Sequence, residues 1–196
     1  MPQLLAATSN AHKLAELRAI LEPSGIVCLS ADDIGGIPDV EETGETFEAN
    51  AILKATEVAR ATGHVVFADD SGLETFALDG EPGVFSARYA GPDATDADRI
   101  AKLQRRLAPH RNRSARFVCV IALASPTALL GTATGEVRGV IAPASRGESG
   151  FGYDPIFVPD GYDRTFAELP AGAKDRISHR GNALKNALAA GLFELG

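Results

Sequence analysis

Thr46 to Gly72 reads TFEANAILKATEVARATGHVVFADDSG, and two hydrophobic periods meet inside it. Phe47, Ala51, Lys54, Ala55 and Val58 share helical spacing behind Thr46, a residue suited to capping, so the spacing predicts a helix over roughly Thr46 to Ala61 that Gly63 ends. His64 to Ala68 is then a short apolar run, which reads as a strand. Asp69 and Asp70 leave the end of that strand and are followed at once by Ser71 and Gly72. A helix feeding a strand that ends in polar residues marks an α/β protein, in which strand ends open into crevices.

Working outward, Gln3 to Ser9 is a short apolar run turning polar, and Asn10 can cap a helix carrying Leu14, Leu17 and Leu21. Beyond the acidic pair, ALDGEPGVFSARYAG (Ala77 to Gly91) is rich in turn residues and reads as an ordered binding loop. Asp96 to Leu107 reads as a helix, and Ala115 to Ala124 and Leu129 to Ile141 as strands that add antiparallel pairing. No internal repeat, low-complexity stretch or Pro-rich linker interrupts the chain. The expected fold is α/β: one domain over residues 1–196, two-lobed, with a long twisted mixed sheet flanked by helices and a central cleft.

The chain has 196 residues, 45% hydrophobic and 23% charged, with a net charge of −7, which suits one compact soluble domain with a full core. That acidic balance lacks the broad positive field that a nucleic-acid polymer requires, so any phosphate should sit in a local pocket. Cys28 and Cys119 lie far apart and read as buried, reduced thiols. The N-terminal residues MPQLLAATSN lack a basic n-region and a long apolar core, and no apolar run reaches membrane-spanning length, so the expected location is cytoplasmic, with no membrane partner. The four histidines show no zinc-ligand spacing. Arg105, Arg106, His110, Arg111 and Arg113 read as a solvated loop after a helix.

Five segments carry the chemistry. KDRISHRGN (Lys174 to Asn182) reads as the start of an amphipathic helix, where Lys174, His179 and Arg180 would crowd around unpaired amides to make an anion site. Thr8-Ser9-Asn10-Ala11-His12-Lys13 lies between strand and helix and can cradle phosphate, although it lacks Walker P-loop spacing. In FADDSGLE (Phe67 to Glu74) alternation sends Asp69 and Asp70 to opposite sides, one toward a site and one to tie down the turn, and a hard divalent cation such as Mg²⁺ would balance buried carboxylates. EETGETFEANAILKA (Glu41 to Ala55) gathers Glu41, Glu42, Glu45 and Glu48 at a helix start and sets Asn50 and Lys54 on one helical face. GFGYDPIF (Gly150 to Phe157) sets aromatics that can stack on a purine among glycines that let backbone approach it, with Asp154 able to accept from base or ribose.

Taken in chain order, with DGEPGVFSARYAG (Asp79 to Gly91) between FADDSGLE and GFGYDPIF, these blocks resemble the pyrophosphatases of non-standard purine nucleoside triphosphates, the inosine triphosphatase or Ham1 family, over nearly the whole chain. The resemblance implies Mg²⁺-dependent hydrolysis of ITP, dITP and XTP to monophosphate and pyrophosphate by a homodimer. It implies that Thr8, Ser9, Asn10, Ala11, His12 and Lys13 hold substrate phosphate, that Asp70 is proton acceptor and metal ligand, and that Glu41 is a second metal-binding carboxylate. Substrate contacts are implied for Ser71, Phe151, Gly152, Tyr153, Asp154, Lys174, His179 and Arg180. Ser9 departs from the glycine common in the family at that place, so the turn can differ in detail. Rival readings are a Maf-like pyrophosphatase acting on other nucleotides, a nucleotide sensor without turnover, and an interaction protein with a vestigial pocket; Lys13, Glu41 and Asp70 argue against the last two.

Overall fold

The computed structural model describes residues 3–194. Its sheet has six strands in the order β2-β1-β3-β4-β5-β6, with β1 Gln3–Ala6, β2 Val27–Leu29, β3 Val66–Thr75, β4 Ser114–Ala124, β5 Leu129–Ile141 and β6 Phe157–Pro159. β1 pairs in parallel with both β2 and β3, whereas β6 pairs antiparallel with β5, so the sheet is mixed. The parallel pairs follow from helices in the connections: α1 (Ala11–Leu21) between β1 and β2, and α2 (Phe47–Thr62) ahead of β3. α3 (Asp96–Leu107), α4 (Ala171–Ile177) and α5 (His179–Ala189) follow. Among the described residues no helix is long and apolar enough to cross a membrane.

The helix ends are set by the residues expected to set them. Asn10 caps α1 by accepting from the amides of His12 and Lys13, Thr46 caps α2 by accepting from Ala49, and α2 stops at Gly63 in the left-handed conformation, φ 74°. Thr95 and Asp98 close a reciprocal capping box at the start of α3.

The chain forms two compact units, each assembled from separated segments: residues 1–70, 119–135 and 180–196 in one, and 71–118 with 136–179 in the other. Each has its own core. In the first unit Leu17 and Leu21 of α1, Phe67 of β3, Ile121 and Leu123 of β4 and Leu184 of α5 are buried together; in the second Leu73, Leu103, Leu107, Phe117, Phe157 and Phe166 are. The division falls inside β3, β4 and β5 and between His179 and Arg180, which explains why no linker composition announces it.

Two expectations need correction. β3 does not end at Ala68 but runs to Thr75, so Asp69, Asp70 and Ser71 are mid-strand and no turn follows them. KDRISHRGN does not open one helix: α4 ends at Ile177, Ser178 is extended with ψ 158°, and α5 starts at His179. Lys174 is therefore the fourth of seven residues in α4 and does not belong to the helix that His179 opens.

Candidate functional site

Alternation along β3 gives its two aspartates different environments. Asp69 is 2% exposed, with Lys13 Nζ 3.2 Å and Arg180 Nη2 3.0 Å from its Oδ2. Arg180 also donates to the same oxygen through Nε and to Glu16 through Nη1, so all three guanidinium nitrogens are engaged by carboxylates. Burial alone would raise the pKa of Asp69, but Lys13, Arg180 and Lys54 outweigh it and hold the carboxyl far below the usual range. Arg180 loses solvent yet stays charged for the same reason, with Asp69 the main stabilising partner. Arg180 stands at the start of α5, where the sequence put it, and is 1% exposed, its guanidinium turned onto Asp69 and Glu16.

Asp70 faces a different set. Its Oδ2 accepts from Asn50 Nδ2 at 3.1 Å and its Oδ1 lies 3.6 Å from Lys54 Nζ. Lys54 also donates to Glu42 Oε1 and to the Asp69 carbonyl, both at 2.7 Å. Burial raises the pKa of Asp70 above the ordinary carboxylate value and Glu42 adds to this, against the opposing pull of Lys54 and Asn50. Burial disfavours the Lys54 ammonium, but Asp69, Asp70 and Glu42 outweigh that and raise its pKa. Asn50 and Lys54 do share a helical face, and that face meets β3.

Glu41, in contrast, is exposed and lies in a surface groove with Pro38, Asp39 and Glu57. The neighbouring Glu42 is the glutamate that reaches Lys54, beside Asp70. Among the described residues no group of three or more His, Cys, Asp or Glu side chains could hold a metal ion. Asp70 and Glu42, converging on one ammonium, fit a hard cation such as Mg²⁺, which takes one or two protein carboxylates and completes its shell with water and substrate phosphate.

The Asp70 arrangement depends on a glycine. Gly44 donates its amide to Asn50 Oδ1 at 2.7 Å, and a Cβ there would come within 2.6 Å of that oxygen and 2.8 Å of Ala49 Cβ. Gly44→Ala should therefore push Asn50 off Asp70. We expect stability to fall by about 1–3 kcal/mol through overpacking and kcat to fall on the order of tenfold through misorientation. Unchanged kcat with the lower stability would show that Asn50 does not orient Asp70.

The Thr8–Lys13 turn joins β1 to α1 in the same unit. Thr8 Oγ1 accepts from the Asn10 amide and Asn10 Oδ1 from His12 and Lys13, so the turn is internally ordered. Among the described residues the one non-glycine with positive φ is Asp79, so Ser9 keeps an ordinary backbone and no left-handed glycine is required there. Lys13, from the first turn of α1, is carried onto Asp69.

The second unit holds the remaining candidates. Asp154, 3% exposed, accepts from the Phe151 amide at 2.9 Å and from Lys174 Nζ at 2.7 Å, and a Cβ on Gly150 would run into its carboxylate. The same ammonium lies 5.0 Å from the centroid of the Phe151 ring. Tyr153 is buried and donates to the Ser86 carbonyl at 3.0 Å, and the Gly152 amide donates to Asp96 Oδ2 at 2.6 Å. His179 is buried and stacks on Phe117, centroids 4.7 Å apart. Asp154 and Lys174 thus hold one another beside Phe151. Ser71 is half-buried within β3.

Comparison with known proteins places the chain in a family. The model of the Ham1 family matches residues 4–190. A dITP/XTP pyrophosphatase of Bacillus licheniformis is 46% identical over 94% of this chain and 95% of that protein, and one of Geobacter sulfurreducens is 49% identical over 94% of each. The structure of a HAM1 protein from Coxiella burnetii superposes with a TM-score of 0.88 at 45% identity, covering 100% of both chains. With the matched model spanning nearly all of the chain, this protein belongs to the Ham1 family.

Proposed function

We propose that this chain hydrolyses ITP, dITP and XTP to the nucleoside monophosphate and pyrophosphate, in keeping with the dITP/XTP pyrophosphatase names of its relatives. The observation that carries the reading is Asp70: a buried carboxylate that Asn50 and Lys54 orient, one residue from the Asp69–Lys13 pair. Water attacks the α-phosphorus, the bond from that phosphorus to the bridging oxygen breaks, and pyrophosphate leaves. Asp70 orients the water and accepts its proton. Lys13 and Lys54 bring positive charge to the phosphate oxygens. Mg²⁺, held by Asp70 with Glu41 or its neighbour Glu42, would supply further charge neutralisation for the leaving pyrophosphate.

Base choice belongs in this reading to the Phe151–Asp154 loop, where the Phe151 ring receives the purine and polar groups around it meet the 6-oxo group. A donor satisfied by hypoxanthine faces an amine in adenine, and an unpaired buried donor rejects well. The enzyme acts on the small nucleotide, as a cytoplasmic homodimer. A panel of ITP, XTP, GTP, ATP and dUTP, assayed for pyrophosphate with and without chelator, tests the whole. We expect ITP and XTP to be cleaved fastest and chelator to abolish turnover. Preference for dUTP would favour the Maf-like alternative, and full activity in chelator would remove the metal.

A further inference from the structure

The Gly150–Asp154 loop is fastened at two points by carboxylates. One is Asp154, itself part of the loop and tied to Lys174. The other comes from outside: Asp96, the first residue of α3, accepts the Gly152 amide at 2.6 Å through Oδ2. The other oxygen of Asp96 is 2.5 Å from Arg99 Nη2, and Arg99 Nη1 donates to the carbonyls of Ala87 at 2.7 Å and Ala94 at 2.9 Å. Arg99 is therefore fixed by backbone and in turn aims Asp96.

A helix-stabilising role does not account for this arrangement. The N-terminus of α3 is already capped by the reciprocal Thr95–Asp98 box. The Asp96–Arg99 pair is poorly shielded, with the aspartate side chain 44% exposed, so its worth as an ion pair is small. Gly152 has φ +63°, a left-handed value that glycine adopts without strain, so it has no side chain to hold the loop at this point. The hydrogen bond to Asp96 fixes its amide, and with it the peptide that follows Phe151.

We infer that Asp96 is a positioning residue for purine selection: by holding the Gly152 amide it sets the plane in which Phe151 and the adjoining peptide meet the base. This rests on the reading that the Phe151–Asp154 loop receives the purine, and the test separates the two. Steady-state kinetics with ITP and ATP, together with thermal melting, are measured for Asp96→Ala, Asp96→Asn and Phe151→Ala. Asn retains an oxygen acceptor for the Gly152 amide while losing the charge that serves the helix and Arg99.

Asp96→Ala is expected to lower kcat/KM for ITP about tenfold, chiefly through KM, and to leave ATP within about twofold, so that the ITP-to-ATP ratio contracts. Asp96→Asn should recover to within about threefold of the parent enzyme on ITP, with a similar melting temperature to Asp96→Ala. Phe151→Ala should contract the ratio at least as far. A ratio that moves in Phe151→Ala but not in Asp96→Ala overturns the role of Asp96 and leaves the loop reading intact. Equal losses in Asp96→Ala and Asp96→Asn also overturn it, because the charge and not the acceptor would then matter. A ratio unmoved by Phe151→Ala removes the loop reading, and the inference with it.

Discussion

Asp70→Asn is expected to lower kcat for ITP by about 10²-fold or more, the scale of a lost general base, while the protein stays folded and retains nucleotide affinity. The amide is nearly isosteric and can still meet Asn50, which now lies 3.1 Å from Oδ2. What disappears is the negative charge, and with it proton acceptance and a metal-binding oxygen. Folding should not suffer, because burial already works against the ionised form of this carboxyl. Single-turnover rates with equilibrium binding of ITP separate the two effects. Near-normal turnover would move the base role to another group.

Arg180→Ala should be strongly destabilising. It strips the buried Asp69 of two hydrogen bonds and leaves Glu16 without that partner, and breaking one side of a buried ion pair costs about 3–5 kcal/mol. For a chain of this size that is a fall in melting temperature of roughly 10 °C. All triphosphates should be affected alike, since a guanidinium engaged by two carboxylates carries no base identity. An unchanged melting temperature with lost ITP preference would show instead that Arg180 reads the purine. The same network fixes the sign of an acid effect. Because folding lowers the pKa of Asp69, its ionised form contributes stability in full above its ordinary value of 3.8, and that contribution is lost as pH falls below 3.8 toward the folded value. Asp69→Asn should flatten this acid limb of a stability-versus-pH curve.

What the sequence made legible was local. Asn10, Thr46 and Gly63 mark helix ends by short-range chemistry, and α1 and α2 begin or end where those residues stand. α3 and β5 have the bounds that their periodicity predicts. What stayed hidden was tertiary. Asp, Ser and Gly disfavour strands, so β3 reads as ending at Ala68, yet ion pairs with Lys13, Arg180 and Lys54 carry it through the acidic pair. An arginine at a polar helix start reads as an anion-binding cation. The burial of Arg180 follows from partners 111 and 164 residues away in the chain, which no window detects. A one-residue break at Ser178 barely disturbs helical spacing, so α4 and α5 read as one. The site was legible as residue types and only partly as roles: Asp70 and Lys13 stand among the groups expected, while Glu42 and Lys54 take places that spacing alone could not assign.

The decisive measurement is phosphorus NMR of ITP turnover by the intact protein with Mg²⁺ present, with ATP as the paired control. Cleavage between the α- and β-phosphorus should make the IMP and pyrophosphate signals grow together, with no IDP and no early orthophosphate, and ATP should persist over the same interval. Appearance of IDP with orthophosphate, or equal consumption of ATP, would contradict a pyrophosphatase selective for deaminated purines.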